Sequence, residues 1–178
     1  MDIQPFGTSA AASVVSALAQ STAAARQQAA PLVQSLIQSR QAVAAAGLTF
    51  ANQSLQTALV SANAVSLLGG DGKSVLRQAR GALAAAAGAI KQLANGIASG
   101  AASGATSTGD ALQQLNNLDL VVGTISGTAN AVIDSASTTR VLRREHGRDP
   151  DVATIRADLG AMSQAVAGST SAVLDVTV

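Results

Sequence analysis

Residues 71–97, DGKSVLRQARGALAAAAGAIKQLANGI, decide the fold. Within them Leu76, Ala79, Leu83, Ala86, Ile90, Leu93 and Ile97 recur at alternating spacings of three and four residues. On an α-helix that alternation puts all seven on one stripe, the heptad pattern by which helices pack along their length. Over the first two turns a large residue alternates with alanine, so a neighbour's leucine fits over a methyl group and the two backbones approach closely. Asp71 precedes the stripe and suits a helix cap, its carboxylate accepting from the free N–H groups of the first turn.

Upstream, Gly69 and Gly70 provide a helix stop. Before them Leu32, Leu36, Val43, Leu48, Leu55, Leu59 and Leu68 carry the apolar pattern of a helix. With Gly47 tolerated inside it, that helix is about 55 Å long at 1.5 Å per residue. An earlier helix is expected from a Thr8 or Ser9 cap towards Ala30. Pro31, suited to a first helical turn, then reads as a joint or kink.

Downstream, residues 98–109, ASGAASGATSTG, lose every large side chain and read as a loop. Asp110 is placed to cap the next helix, whose stripe is Leu118, Val122, Ile125, Ala129, Val132 and Ala136. Gly123 and Gly127 lower its propensity and favour a bend. That helix is expected to end in RVLRREHGRDPD, residues 140–151, where arginines collect in the last turn and Gly147 offers a left-handed stop. Asp149 and Pro150 restart a helix. Its stripe is Val152, Ile155, Leu159, Met162 and Val166. After Gly168 the β-branched run STSAVLDVTV leaves a strand, a docked extension or a frayed end open.

These stripes predict an all-α fold: an elongated antiparallel bundle of about four to five helices with alanine-rich heptad seams. At 178 residues one domain is the default. It comprises weakly charged long helices over 1–70, the heptad helix over 71–97, a Gly/Ser/Thr loop over 98–109, and C-terminal helices with a tail over 110–178.

Candidate chemistry is sparse. His146 and Glu145 are the only histidine and glutamate, and adjacent helical residues point apart, so they do not converge as an acid–base pair or metal site. Asp71, Asp110, Asp149 and Asp151 fall at expected helix starts, where carboxylates serve as caps. Asp119, Asp134 and Asp158 are isolated. GGDGKS, residues 69–74, lacks the glycine spacing and preceding strand of a phosphate-cradling loop. Gly96, Gly100 and Gly104, and Gly123 with Gly127, form small-residue ladders that are read as flexibility. No cysteine means no thiolate chemistry. The chain is therefore expected to be non-enzymatic, with no cofactor and no metal.

Partners follow from charge. Arg140, Arg143, Arg144 and Arg148 form the one basic cluster, but without stacking aromatics and interleaved with acids they suit intersubunit ion pairs better than nucleic acid. Charged residues are only 12% of the chain, and the first seventy contain just Asp2, Arg26 and Arg40. These are too few to solvate a free exterior. The expected partner is the chain itself, as a homo-oligomer or polymer, with a membrane or other apolar surface ranked second.

The expected function is thus a structural subunit that self-assembles through alanine-rich helix packing into a filament or similar polymer. The Ala, Gln, Ser, Thr and Asn bias, with no Cys or Trp, is similar to the composition of bacterial flagellar-type and needle-type exported proteins, although no stretch carries a family motif. Alternatives are an amphipathic coat resembling the phasins of polymer granules, or a membrane-inserting helical toxin or translocator. MDIQPFGTSA lacks the basic start of a secretory signal, so an extracellular location by a signal-independent route, or a cytoplasmic one, is expected.

Overall fold

The computed structural model describes residues 8–138 and 149–176, with side chains from 38 onward. Four α-helices make up the described chain: α1 (Thr8–Leu68), α2 (Gly72–Ala102), α3 (Thr108–Ser137) and α4 (Pro150–Asp175). The chain separates into two units, Met1–Ser39 and Arg40–Val178. The helix packing described below belongs to the second.

Local chemistry accounts for most helix ends. α1 stops at Leu68 because Gly69 takes φ 72°, the left-handed conformation that ends a helix. Both Gly69 and Gly70 donate back to the Val65 carbonyl, at 2.9 and 3.1 Å. Asp71 caps α2 by accepting from the Lys73 N–H. Asp149 caps α4 by accepting from the Asp151 N–H, with Pro150 in the first turn.

Four boundaries differ from the sequence expectation, and so does the tail. α3 ends at Ser137, where the Thr138 N–H turns back to the Ser135 carbonyl, before the arginine-rich stretch expected to end it. α1 runs through Pro31 without a joint. One missing hydrogen bond costs less than nucleating a second helix between alanine-rich flanks. The loop expected over 98–109 shrinks to 103–107: α2 continues to Ala102 because Gly100 and Ala101 are buried, and the chain turns at Gly104, φ 71°. α3 then starts under a Ser107 cap rather than Asp110. The Ser107 hydroxyl accepts from the Asp110 N–H at 3.1 Å, capping the first turn, and donates to the Asp110 carboxylate at 2.7 Å. At the other end, the β-branched tail is helical to Asp175. Ser169 and Val173 extend the buried stripe of α4, and burial outweighs intrinsic strand preference.

Contacts fix the directions. Gln41 meets Gly96 and Gly47 meets Ala89, so α1 runs antiparallel to α2. Asn63 accepts from Ser135, and Ser66 shares a hydroxyl–hydroxyl hydrogen bond with Thr138. Both pairs are 72 residues apart, so α1 runs parallel to α3. Arg80 reaches Asp151, and further along α2 and α4 share a cleft, so these two also run parallel. The result is an up-down-up-down bundle.

The core is one cluster drawn from all four helices. α1 contributes Ala51, Leu55, Ala58 and Ala62 to it and also buries Ala44, so four of its five buried apolar side chains are methyl groups. Gly47 lies on this alanine-lined side: a Cβ there would be 3.9 Å from the Ala89 Cβ, ordinary contact that an alanine would make without strain.

Candidate interaction surface

The stripe residues lie in or against this core. Leu76, Ala79, Leu83, Ala86, Ile90, Ile97, Leu118, Val122, Ile125, Ala129, Val132, Ala136, Val152, Ile155, Met162 and Val166 are buried. Leu93 and Leu159 are partly buried against them. Their accounted role is packing within one chain. The arginines 140, 143, 144 and 148, with Glu145 and His146, lie outside the described residues.

Among the described residues, no three His, Asp or Glu side chains converge as metal ligands. Between α2 and α4 lies an open cleft of about 490 Å³, lined by Lys91, Asn95 and Ser99 on one side and Gln164, Gly168 and Ser169 on the other. Lys91 is the one ionisable residue on its wall, and it has no acid or base opposite it there. The cleft offers hydrogen bonds and no paired proton donor and acceptor. The glycine ladders divide in the structure. Gly100 is buried where the following turn folds back, whereas Gly123 and Gly127 face open space.

The notable surface is on α1. No residue from Gln41 to Gly70 is charged. On the side of α1 away from the core, Val43 is 70% exposed, Phe50 68%, Val60 69% and Leu67 86%. The sequence pattern groups Val43 and Leu68 with Leu48, Leu55 and Leu59. The structure divides them: Leu55 is buried, Leu48 and Leu59 pack against the core, and Val43 and Leu68 are on the surface. The signal separating the two sets is present in the spacing. Val43, Phe50, Val60 and Leu67 belong to one heptad stripe, and Leu48 and Leu55 to another. Hydroxyls near the exposed side are satisfied within the helix, Thr49 donating to the Ala45 carbonyl and Thr57 to that of Gln53, each at 3.0 Å. Such back-bonding is the usual fate of a threonine inside a helix.

An ion pair that sequence spacing does not show ties α2 to the start of α4: Arg80 donates to Asp151 at 2.9 Å. No described helix is long and apolar enough to cross a membrane. Comparison of the chain with models of known protein families, with curated proteins and with solved structures gives no match.

Proposed function

We propose that this chain is a non-enzymatic structural subunit that associates with copies of itself, building a filament or similar polymer by helix-to-helix packing. The observation that carries this reading is the uncharged segment from Gln41 to Gly70, which fills its share of the bundle core mainly with alanines while leaving Val43, Phe50, Val60, Leu67 and Leu68 exposed. Large apolar groups clustered on a surface mark an interaction site. Contacts between different faces that do not close into a ring extend into a fibre.

A coat on an apolar surface fits less well. Interfacial helices set a charged face, rich in Lys and Arg, opposite the apolar one. From Gln41 onward α1 has no charge on any side, and the face opposite its exposed residues belongs to the bundle core.

Negative-stain electron microscopy of the purified full chain at neutral pH tests the proposal. Ordered fibres or lattices support it. Discrete particles of single-chain size overturn it.

A further inference from the structure

The exposed side of α1 has an order of its own. Positions 43, 46, 50, 53, 57, 60, 64 and 67 alternate three and four residues apart, and all eight are exposed. Six are apolar: Val43, Ala46, Phe50, Val60, Ala64 and Leu67. The core-facing positions 44, 48, 51, 55, 58, 62 and 65 follow the same alternation on the opposite side. α1 thus carries two heptad stripes, and the bundle uses one. The second has no partner helix within the described residues.

Phe50 sharpens the point. It is the only aromatic residue among those whose side chains are described, and it stands third of eight positions in the unused stripe, 68% exposed. Phenylalanine is among the residues most often fully buried, and aromatic rings dominate interface energetics. A helix that meets its core mainly through alanines while leaving the one described ring outside has placed that ring for an external contact.

Resting on the self-assembly reading, we infer that the stripe from Val43 to Leu67 is the face that pairs with the same stripe of a second copy, α1 against α1, in the manner of a coiled coil; this same-face contact closes a pair, and growth into a polymer rests on a further contact between different faces. Two observations favour a copy over another partner. A heptad stripe is self-complementary, since knobs and holes repeat with one period on both helices. Identical faces also bring identical charges together, and a strip with no charge between Gln41 and Gly70 avoids that repulsion. The strip is about 37 Å long and about 10 Å wide, giving about 370 Å² per copy. That is roughly half of the 800 Å² or so that each partner contributes to a standard interface.

In the sequence the same alternation continues back through Leu36, Leu32, Ala29, Ala25, Leu18 and Val15, interrupted only by Ser39 and Thr22. Traced back from Gln41, the register that faces the core instead has glutamine at every second position: Gln41, Gln34, Gln27 and Gln20. The pairing register is therefore the one that the sequence of α1 (Thr8–Leu68) keeps more nearly apolar.

The test uses the full chain in size-exclusion chromatography with light scattering, with circular dichroism to follow helicity. Phe50→Glu with Val60→Glu is expected to weaken association about 100-fold or more, as loss of an aromatic anchor does. Gln92→Glu with Gln113→Glu, which adds the same charge on exposed positions of α2 and α3, is expected to associate as the parent chain does. Should the glutamate pair lose helicity, Phe50→Ala with Val60→Ala decides, and it too must weaken association. If the parent chain associates and the α1 variants associate equally well, the pairing face is wrong while self-assembly stands. If the parent chain forms dimers and nothing larger, and the α1 variants are monomers, the face is right and the polymer is wrong. A parent chain that stays single, or that instead binds uncharged lipid vesicles, overturns both.

Discussion

Arg80 donates to Asp151 across 2.9 Å, joining α2 to the first turn of α4. Beside it Asp149, only 6% exposed, accepts from the Asp151 N–H. The two acids differ in consequence. The ion pair is half open on its arginine side, 52% exposed, so solvent screens it and Arg80→Met is expected to cost under about 1 kcal/mol. Asp149→Ala removes a cap and leaves a part-buried N–H group unpaired, costing about 1 to 2 kcal/mol. The melting temperature should therefore fall further for Asp149→Ala than for Arg80→Met. The reverse order would show that the ion pair, and not the cap, anchors α4.

Gly100 is where the turn after α2 closes on itself. The Thr106 N–H donates to its carbonyl at 3.1 Å, and a Cβ on Gly100 would lie 2.9 Å from the Thr106 hydroxyl oxygen. Gly100→Ala is expected to destabilise by about 1 to 3 kcal/mol through overpacking. Combining it with Thr106→Ser, which keeps the hydroxyl, should restore little of the loss, whereas Thr106→Ala should restore part of it. Chemical denaturation of the three variants reads this directly.

Gly81, Gly88, Gly123 and Gly127 lie inside helices without positive φ, and a methyl group added at any of them would meet nothing within 4 Å. Alanine at each should add about 0.5 to 1 kcal/mol, since glycine is the costlier residue in a helix interior. Gly104, at φ 71°, should respond oppositely, because alanine there is strained. A melting temperature that falls for Gly123→Ala would mean that this glycine serves a contact made outside the single chain.

The core should answer to volume. Leu83 is fully buried on the α2 stripe between the buried Ala79 and Ala86, whose methyl groups cannot expand to refill the space. Leu83→Ala is expected to cost about 2 to 5 kcal/mol. Leu120 is 71% exposed, and Leu120→Ala should change stability by less than about 0.5 kcal/mol. Equal losses at both sites would contradict the placement of the core.

Legibility in the sequence varies with the kind of signal. The stripe from Leu76 to Ile97 is plain because its large residues repeat on one face only. Asp71, Gly69 and the Asp149–Pro150 start are plain because caps are local chemistry. The helical end of α2 and the tail of α4 are hidden, since Ser, Gly and β-branched residues oppose helix locally. Only burial of Gly100, Ala101, Ser169 and Val173 decides there. α1 misleads for a different reason. Apolar size normally points inward, but here Ala44, Ala51, Ala58 and Ala62 face the core while Val43 and Phe50 face out. Merging the two registers into one pattern conceals the surface on which the functional proposal rests.

Sedimentation velocity of the full chain, from about 1 to about 100 µM, spans the range in which contacts of about −6 to −8 kcal/mol become half saturated. Repeating it from about 0.05 to about 0.5 M salt adds the discriminating variable, because exposed charges are screened over that range and apolar contacts are not. The account predicts mass that grows with concentration and does not fall with added salt. A single species of 17.4 kDa at every concentration, or association that salt abolishes, would contradict it.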